Sequence, residues 1–261
     1  MSKKKLNRRD FLKLAGAGAA GLAGTRLLSQ DRAKASESIE SGAHQWAMVI
    51  DQDKCLGCGY CTLACRAHND VPPDISWNVV LEAGHIDDKD IFLSRPCMHC
   101  AEAPCVEVCP VGATYQRADG IIMMNYDRCI GCRYCEVTCP YQARSFNWKA
   151  FDGPNPAVPE WGEPEVPRRP RGVVEKCSFC YQRIDRGLSL GLTPGVDPDA
   201  TPACVVACPV GARQFGDLND PDSVVSQLLR EHASYRLREE LGTSPHVYYL
   251  PARQGKAKVE S

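Results

Sequence analysis

Cys129-Ile130-Gly131-Cys132-Arg133-Tyr134-Cys135-Glu136-Val137-Thr138-Cys139-Pro140 sets four cysteines at C-x₂-C-x₂-C-x₃-C-P spacing, and this stretch decides the fold. A short loop supplies three thiols that can point inward around a cubane iron–sulfur core. The fourth lies one helical turn further on, where a proline redirects the chain. Gly131 lets the backbone approach the core closely enough for amide N–H groups to donate to sulfur.

Three further quartets surround it: Cys55, Cys58, Cys61, Cys65; Cys97, Cys100, Cys105, Cys109; and Cys177, Cys180, Cys204, Cys208. The four groups use all sixteen cysteines, and three of them end in Cys-Pro. Gly57 and Gly59 stand in the first group as Gly131 does in the third. Four quartets imply four [4Fe–4S] clusters. In two-cluster ferredoxins the last cysteine of such a run ligates the other cluster, so quartets and clusters need not correspond one to one. Two rival readings exist, an exported disulfide-stapled binding protein and a Cys₄ zinc protein. Cysteines this close in sequence bridge one another poorly, and zinc sites usually use two separated pairs with no role for Cys-Pro. His99, inside Cys97-Met-His-Cys100, is expected to support a cluster rather than to ligate it. Met98, Tyr134 and Phe179 are expected to be lids that exclude water.

Pro110-Val-Gly-Ala113 recurs as Pro209-Val-Gly-Ala212, with Pro140-Tyr-Gln-Ala143 beside it, an internal repeat that suggests duplication of a half-unit. The expected fold class is α+β: two ferredoxin-like dicluster units, one inserted in the other, with long irregular loops. Residues 46–89 would form the first half of the outer unit and 173–216 its second half, with 90–146 as the inserted dicluster domain. Asp119-Gly120 predicts a turn before a strand at Ile121–Met124. Short helical turns are expected around Val106–Val108 and Glu136–Thr138. Residues 147–172 form a loop with six prolines from position 154 on, Trp161, and a basic run at Arg168, Arg169 and Arg171. It is either a plain surface loop or a partner-docking strap anchored by Trp161. The insert 186–201 predicts a loop. Residues 217–261 predict a helix over 222–240, with Val225, Leu228, Leu229 and Leu237 on one face, followed by an extended segment at Thr243–Leu250.

Residues 1–35 are a targeting segment. Asn7-Arg8-Arg9-Asp10-Phe11-Leu12-Lys13 has the twin-arginine pattern, a Gly/Ala-rich stretch follows, and Ala33-Lys34-Ala35 offers a cleavage site. Retention as an uncleaved anchor is the alternative. This segment holds nine Lys/Arg and two Asp, which takes the formal net charge from −1 for the whole chain to −8 beyond it. So acidic a surface disfavours nucleic acid. Twin-arginine export carries folded, cofactor-loaded proteins, so signal and cysteine pattern support each other. An exported protein, either periplasmic or peripheral at the outer face of the cytoplasmic membrane, is expected.

Over roughly residues 46–250 the chain resembles the four-cluster iron–sulfur subunit of the complex iron–sulfur molybdoenzymes. The resemblance is carried by Cys55-Leu-Gly-Cys-Gly-Tyr-Cys61, Cys97-Met-His-Cys100, Cys129-Ile-Gly-Cys-Arg-Tyr-Cys135, Glu175-Lys-Cys-Ser-Phe-Cys180 and Ala203-Cys-Val-Val-Ala-Cys-Pro209. Its C-terminal part looks most like the tetrathionate and polysulfide reductase branch. The resemblance implies crossed ligand sets: Cys55, Cys58, Cys61 with Cys208; Cys177, Cys180, Cys204 with Cys65; Cys97, Cys100, Cys105 with Cys139; and Cys129, Cys132, Cys135 with Cys109. Relatives with a three-iron cluster carry Trp where this chain has Cys132, so four four-iron clusters are expected. A non-catalytic electron-transfer subunit is implied, working between a membrane quinone-reactive subunit and a catalytic, molybdopterin-containing one. Subunits serving hydrogenases, cytochrome nitrite reductases or sulfite-reduction-linked complexes are the alternatives. The polar ending Gly255–Ser261 lacks the membrane helix of the formate dehydrogenase branch, and the chain's own signal suggests separate export.

Overall fold

Trp46–Asp51 forms strand β1, whose residues are buried from Trp46 to Ile50. An unbroken apolar run of this kind suits a strand covered on both faces. It is the middle of a three-stranded sheet. On one side it pairs antiparallel with β8 (Arg213–Asp217), and on the other parallel with β9 (Val247–Leu250). The chain is therefore closed on itself, its first described strand held by segments some 160 and 200 residues later. The structure, a computed structural model, describes residues 42–252. The signal segment, its Ala33-Lys34-Ala35 site and the tail at Gly255–Ser261 lie outside the described residues.

Three segments repeat one design. A single helical turn ends two residues before the last cysteine of a group, and a Pro-x-x-Ala turn then leads into a strand. The helices are α2 (Pro104–Glu107), α3 (Tyr134–Val137) and α5 (Ala203–Val206). The strands that follow are β4 (Thr114–Gln116), β6 (Ser145–Phe146) and β8. The third residue of each turn has positive φ: Gly112 at 58°, Gln142 at 50° and Gly211 at 59°. β4 pairs with β5 (Ile122–Met124), the strand expected after Asp119-Gly120. β6 pairs with β7 (Val174–Glu175). Helix α1 (Tyr60–His68) packs on α5, and α2 on α3. The first cysteine group thus lies with the fourth, and the second with the third. Helices and strands are mixed throughout, an α+β fold.

A hairpin of β2 (Val79–Ile86) and β3 (Lys89–Arg95) stands apart as its own two-stranded sheet, straddling position 89–90 where the sequence suggests a domain boundary. The main core gathers ten of the cysteines with Trp46, Met48, Ile50, Phe179, Phe215 and Tyr249.

Three sequence expectations need correction. The helix over 222–240 is α6 (Val224–Glu231) alone. Its Val225, Leu228 and Leu229 pack on Val49 and Leu250 as the periodicity implies. His232 then turns extended, and Tyr235 bridges to Tyr249. Leu237 packs instead on the main core. The insert 186–201 is not all loop, because α4 (Tyr181–Ser189) runs into it and a 3₁₀ turn at Pro198–Ala200 closes it. In the Pro-rich segment Arg168 pairs with Asp70 at 2.8 Å, and buried Arg169 pairs with Glu175 at 2.7 Å. Trp161 lies with its ring 4.7 Å from Tyr60 on α1, so the segment is a strap bound to the body. Finally, Met98 and Phe179 are buried as lids would be, but Tyr134 is exposed.

Candidate metal centres

The cysteines come together across the sequence groups. Cys208 lines the same cavity as Cys55, Cys58 and Cys61. Cys109 shares another with Cys129, Cys132 and Cys135. Cys65 is buried where the charges of Cys177, Cys180 and Cys204 act on it. Cys100 feels Cys97, Cys105 and Cys139 in the same way. None of the sixteen forms a disulfide, and only Cys58 and Cys132 are exposed. No three His, Cys, Asp or Glu side chains among the described residues stand close enough to hold a single metal ion.

Short loops and tight turns place them. Gly59 at φ 78° leads into α1, and Arg133 at φ 62° leads into α3. The Pro-x-x-Ala repeat has a direct role at sulfur. Ala113 donates its backbone N–H to Cys109 Sγ at 3.2 Å, and Ala212 to Cys208 Sγ at 3.3 Å. The Ala143 N–H serves Cys139. The positive-φ residue before each alanine is what aims that N–H back at the thiol four residues earlier.

Burial, then the neighbouring Cys97, pushes the Cys100 thiol up to about 12. Burial and Cys204 push Cys177 up to about 12 as well. Four such groups cannot all ionise side by side without positive charge at their centre, and iron supplies that charge, since a coordinating thiol is deprotonated outright. At Cys109 partial burial opposes ionisation, but N–H groups of Thr114, Val111 and Ala113 outweigh it and lower the value. The donor set thus fits thiolate-held iron–sulfur clusters.

Two segments, residues 89–152 and 128–212, match models described as 4Fe-4S dicluster domains. Residues 46–67 match a 4Fe-4S binding domain, and residues 5–25 match the twin-arginine translocation pathway signal sequence. A putative dimethyl sulfoxide reductase iron-sulfur subunit of Halobacterium salinarum is 44% identical over 234 residues, 82% of this chain and 83% of that protein. The iron-sulfur cluster-binding subunit of menaquinone reductase from Nitratidesulfovibrio vulgaris is also 44% identical, over 80% of this chain and 90% of its own. A tetrathionate reductase subunit of Salmonella typhimurium is 35% identical over 80% of this chain and 74% of its own. The chain belongs to the iron–sulfur subunits of the complex iron–sulfur molybdoenzymes.

As a member of that family, this iron–sulfur subunit carries four [4Fe–4S] clusters and transfers electrons without being the catalytic chain. It also carries a twin-arginine export signal. Among the described residues no helix is long and apolar enough to cross a membrane.

Several polar residues around the sulfurs escape a reading of cysteine spacing. Asn78 Nδ2 donates to Cys61 Sγ at 3.1 Å. Asn69 Nδ2 lies 3.5 Å from Cys180 Sγ and 3.8 Å from Cys65 Sγ, two cysteines from different sequence groups. Arg144 Nη2 donates to Cys105 Sγ at 3.0 Å. Arg144 and Arg213 do leave a trace in the sequence, since each directly follows the alanine of a Pro-x-x-Ala turn. The His99 ring is fully buried, Nδ1 accepts the Ile122 N–H at 3.0 Å, and it stacks on Phe179 at 3.7 Å.

Proposed function

We propose that the four clusters form a single row held by crossed ligand sets. Cys55, Cys58, Cys61 and Cys208 hold one end. Next come Cys65, Cys177, Cys180 and Cys204, then Cys97, Cys100, Cys105 and Cys139, and finally Cys109, Cys129, Cys132 and Cys135. When bound, the clusters supply one-electron transfer; the chain holds them, sets their order and keeps water from the inner ones.

The order is supported by the thiols that act on one another between sets. Cys61 acts on Cys204, Cys97 on Cys177, and Cys105 on Cys135. The two exposed cysteines, Cys58 and Cys132, then belong to the two end sets. This coincidence carries the reading: a row that must exchange electrons with two partners needs both ends at the surface and its middle insulated. The pairing of α1 with α5 around that of α2 with α3 supports one dicluster unit (residues 90–146) inserted in another (46–89 with 173–216), strapped by 147–172 and followed by the C-terminal part from 217. The partners in this reading are a molybdopterin-containing catalytic subunit and a membrane quinone-reactive subunit, with the protein peripheral at the outer face of the cytoplasmic membrane.

Iron content of cysteine variants tests the crossing. Cys65→Ser and Cys177→Ser should each cost one cluster, and the double variant no more than that one. Loss of two clusters in the double variant would mean that each sequence quartet holds its own. Cys132→Ser should disturb one end cluster and slow turnover of the assembled complex.

A further inference from the structure

Three cations are buried among the cysteines: Arg144, Lys176 and Arg213, exposed by 4%, 2% and 2%. None of them pairs with a carboxylate among the described residues. A buried cation without an anion is costly and is not kept for packing alone. Each has a place. Arg144 hydrogen bonds Cys105 and its charge also acts on Cys135, which lie in neighbouring ligand sets. Arg213 acts on Cys61 and Cys204, again one from each of two neighbouring sets, and it holds Asn78 Oδ1 at 2.9 Å. Lys176 Nζ bonds the carbonyls of Cys177 and Ile122, and its charge falls on Cys177 and Cys97. In the row above, these are its three gaps, with one cation in each. Arg144 and Arg213 occupy the same position of the repeated half-unit; the middle gap, between the two units, takes its cation from the Glu-Lys-Cys segment instead.

We propose that Arg213, Lys176 and Arg144 are positioning charges, one in each gap, that raise the reduction potentials of the two clusters they separate and screen those clusters from each other. A cubane held by four thiolates is an anion and becomes more so on reduction. A fixed desolvated cation beside it therefore favours the reduced form. Placed between two clusters, it also offsets the repulsion that an electron on one exerts on an electron arriving at the next. Without these charges, clusters this close would resist holding electrons in succession. The inference rests on the crossed ligand sets, and its test is separate from theirs.

The experiment is an anaerobic potentiometric titration of the holoprotein followed by electron paramagnetic resonance, with iron counted for each variant. Arg144→Gln and Lys176→Gln should each lower the potentials of the two flanking clusters. The expected size is a tenfold fall in the reduced-to-oxidised ratio at fixed ambient potential, about 59 mV for a one-electron couple. The cluster held by Cys55, Cys58, Cys61 and Cys208 should not move in Arg144→Gln. Arg144→Lys keeps the charge while losing the fork of bonds to Cys105, Thr114 and Met124, and it should titrate like the wild type. Full iron with unshifted potentials in Arg144→Gln would overturn the proposal, as would an Arg144→Lys variant displaced by the tenfold amount. If Arg144→Gln loads poorly, the Arg144→Lys comparison alone decides. Wrong ligand sets would show independently in the iron count of the Cys65→Ser, Cys177→Ser double variant.

Discussion

Asn78 reaches from the start of the β2–β3 hairpin region to Cys61, its side-chain N–H 3.1 Å from the sulfur, while its carbonyl oxygen accepts from Arg213 at 2.9 Å. The same side chain thus couples a buried cation to an end cluster and donates to one of its sulfurs. Donors to ligand sulfur favour the reduced, more negative form. Asn78→Ala should therefore lower the potential of the cluster that we propose Cys55, Cys58, Cys61 and Cys208 hold. A differential of about 1 kcal/mol, roughly 40 mV, is expected with iron unchanged. A potential equal to wild type would show that the Asn78 amide does not tune this cluster.

Gly131 and Gly59 both have positive φ, 68° and 78°, but they answer different needs. A Cβ on Gly131 would overlap the Gly172 carbonyl, whereas one on Gly59 would meet no protein atom within 4 Å. Gly131→Ala should shift the Cys129–Cys132 loop off the end of the strap and lose one cluster, taking iron from about sixteen to about twelve per chain. Gly59→Ala should retain all four clusters at a backbone cost of roughly 1–2 kcal/mol. Equal iron in the two variants would remove close approach as the reason for Gly131.

These differences mark how far the sequence could be read. Cysteine spacing is a local constraint, because a cube needs three thiols from one loop, so the cluster-bearing loops and the short helices beside them were legible. So was the strand before Cys129, which follows an Asp-Gly turn. That Cys208 lies with Cys55 depends on β1 pairing with β8 across the whole chain, and only the family resemblance suggested it. Arg144, Arg213 and Asn78 look like ordinary polar residues until folding buries them against sulfur. The pairing of Arg168 and Arg169 does not show in the sequence, because Asp70 stands about a hundred residues away and Glu175 lies on a following strand. The helix over 222–240 was overdrawn because Leu237 keeps the apolar period although tertiary packing takes it to a different core.

The strap should loosen in acid. Burial would raise the Asp70 carboxyl, but hydrogen bonds from Arg168 and Asn155 outweigh it and hold the group below the usual range. Glu165 is lowered likewise, burial being outweighed by His68 and Arg183. A lowered folded value means that this stabilisation is complete above the unfolded pKa, about 3.9–4.3, and is lost as pH falls through the folded values. Asp70→Asn should cost roughly 2 kcal/mol at pH 7. Its difference from wild type in thermal unfolding should hold constant down to about pH 5 and shrink below about pH 4. A difference that persists unchanged at pH 3 would rule out this ion pair as the anchor.

The proposed end of the row, at Cys132, carries an apolar surface in water. Val137 is 85% exposed and Trp148 60%, with Ile130 and Tyr134 also open beside them. Arg133 lies over the Trp148 ring at 4.6 Å, which holds that side chain in place. Isolated exposed apolar residues need no explanation, but four around the exposed ligand of an end cluster form a patch. Electron exchange falls steeply with distance, so the redox partner that takes or gives electrons at this end must bring its own centre close to Cys132 and cover these residues. Val137→Glu would bury a charge in that contact. It should weaken association with that partner subunit by at least tenfold, about 1.4 kcal/mol, while iron content and potentials of the isolated subunit stay as they are. Leu190→Glu, at the exposed end of α4 and beside no cysteine group, is the control and should assemble normally. Co-purification and turnover of the complex read both variants. Normal assembly of Val137→Glu would place the partner at another face and leave Cys132 exposed for some other reason.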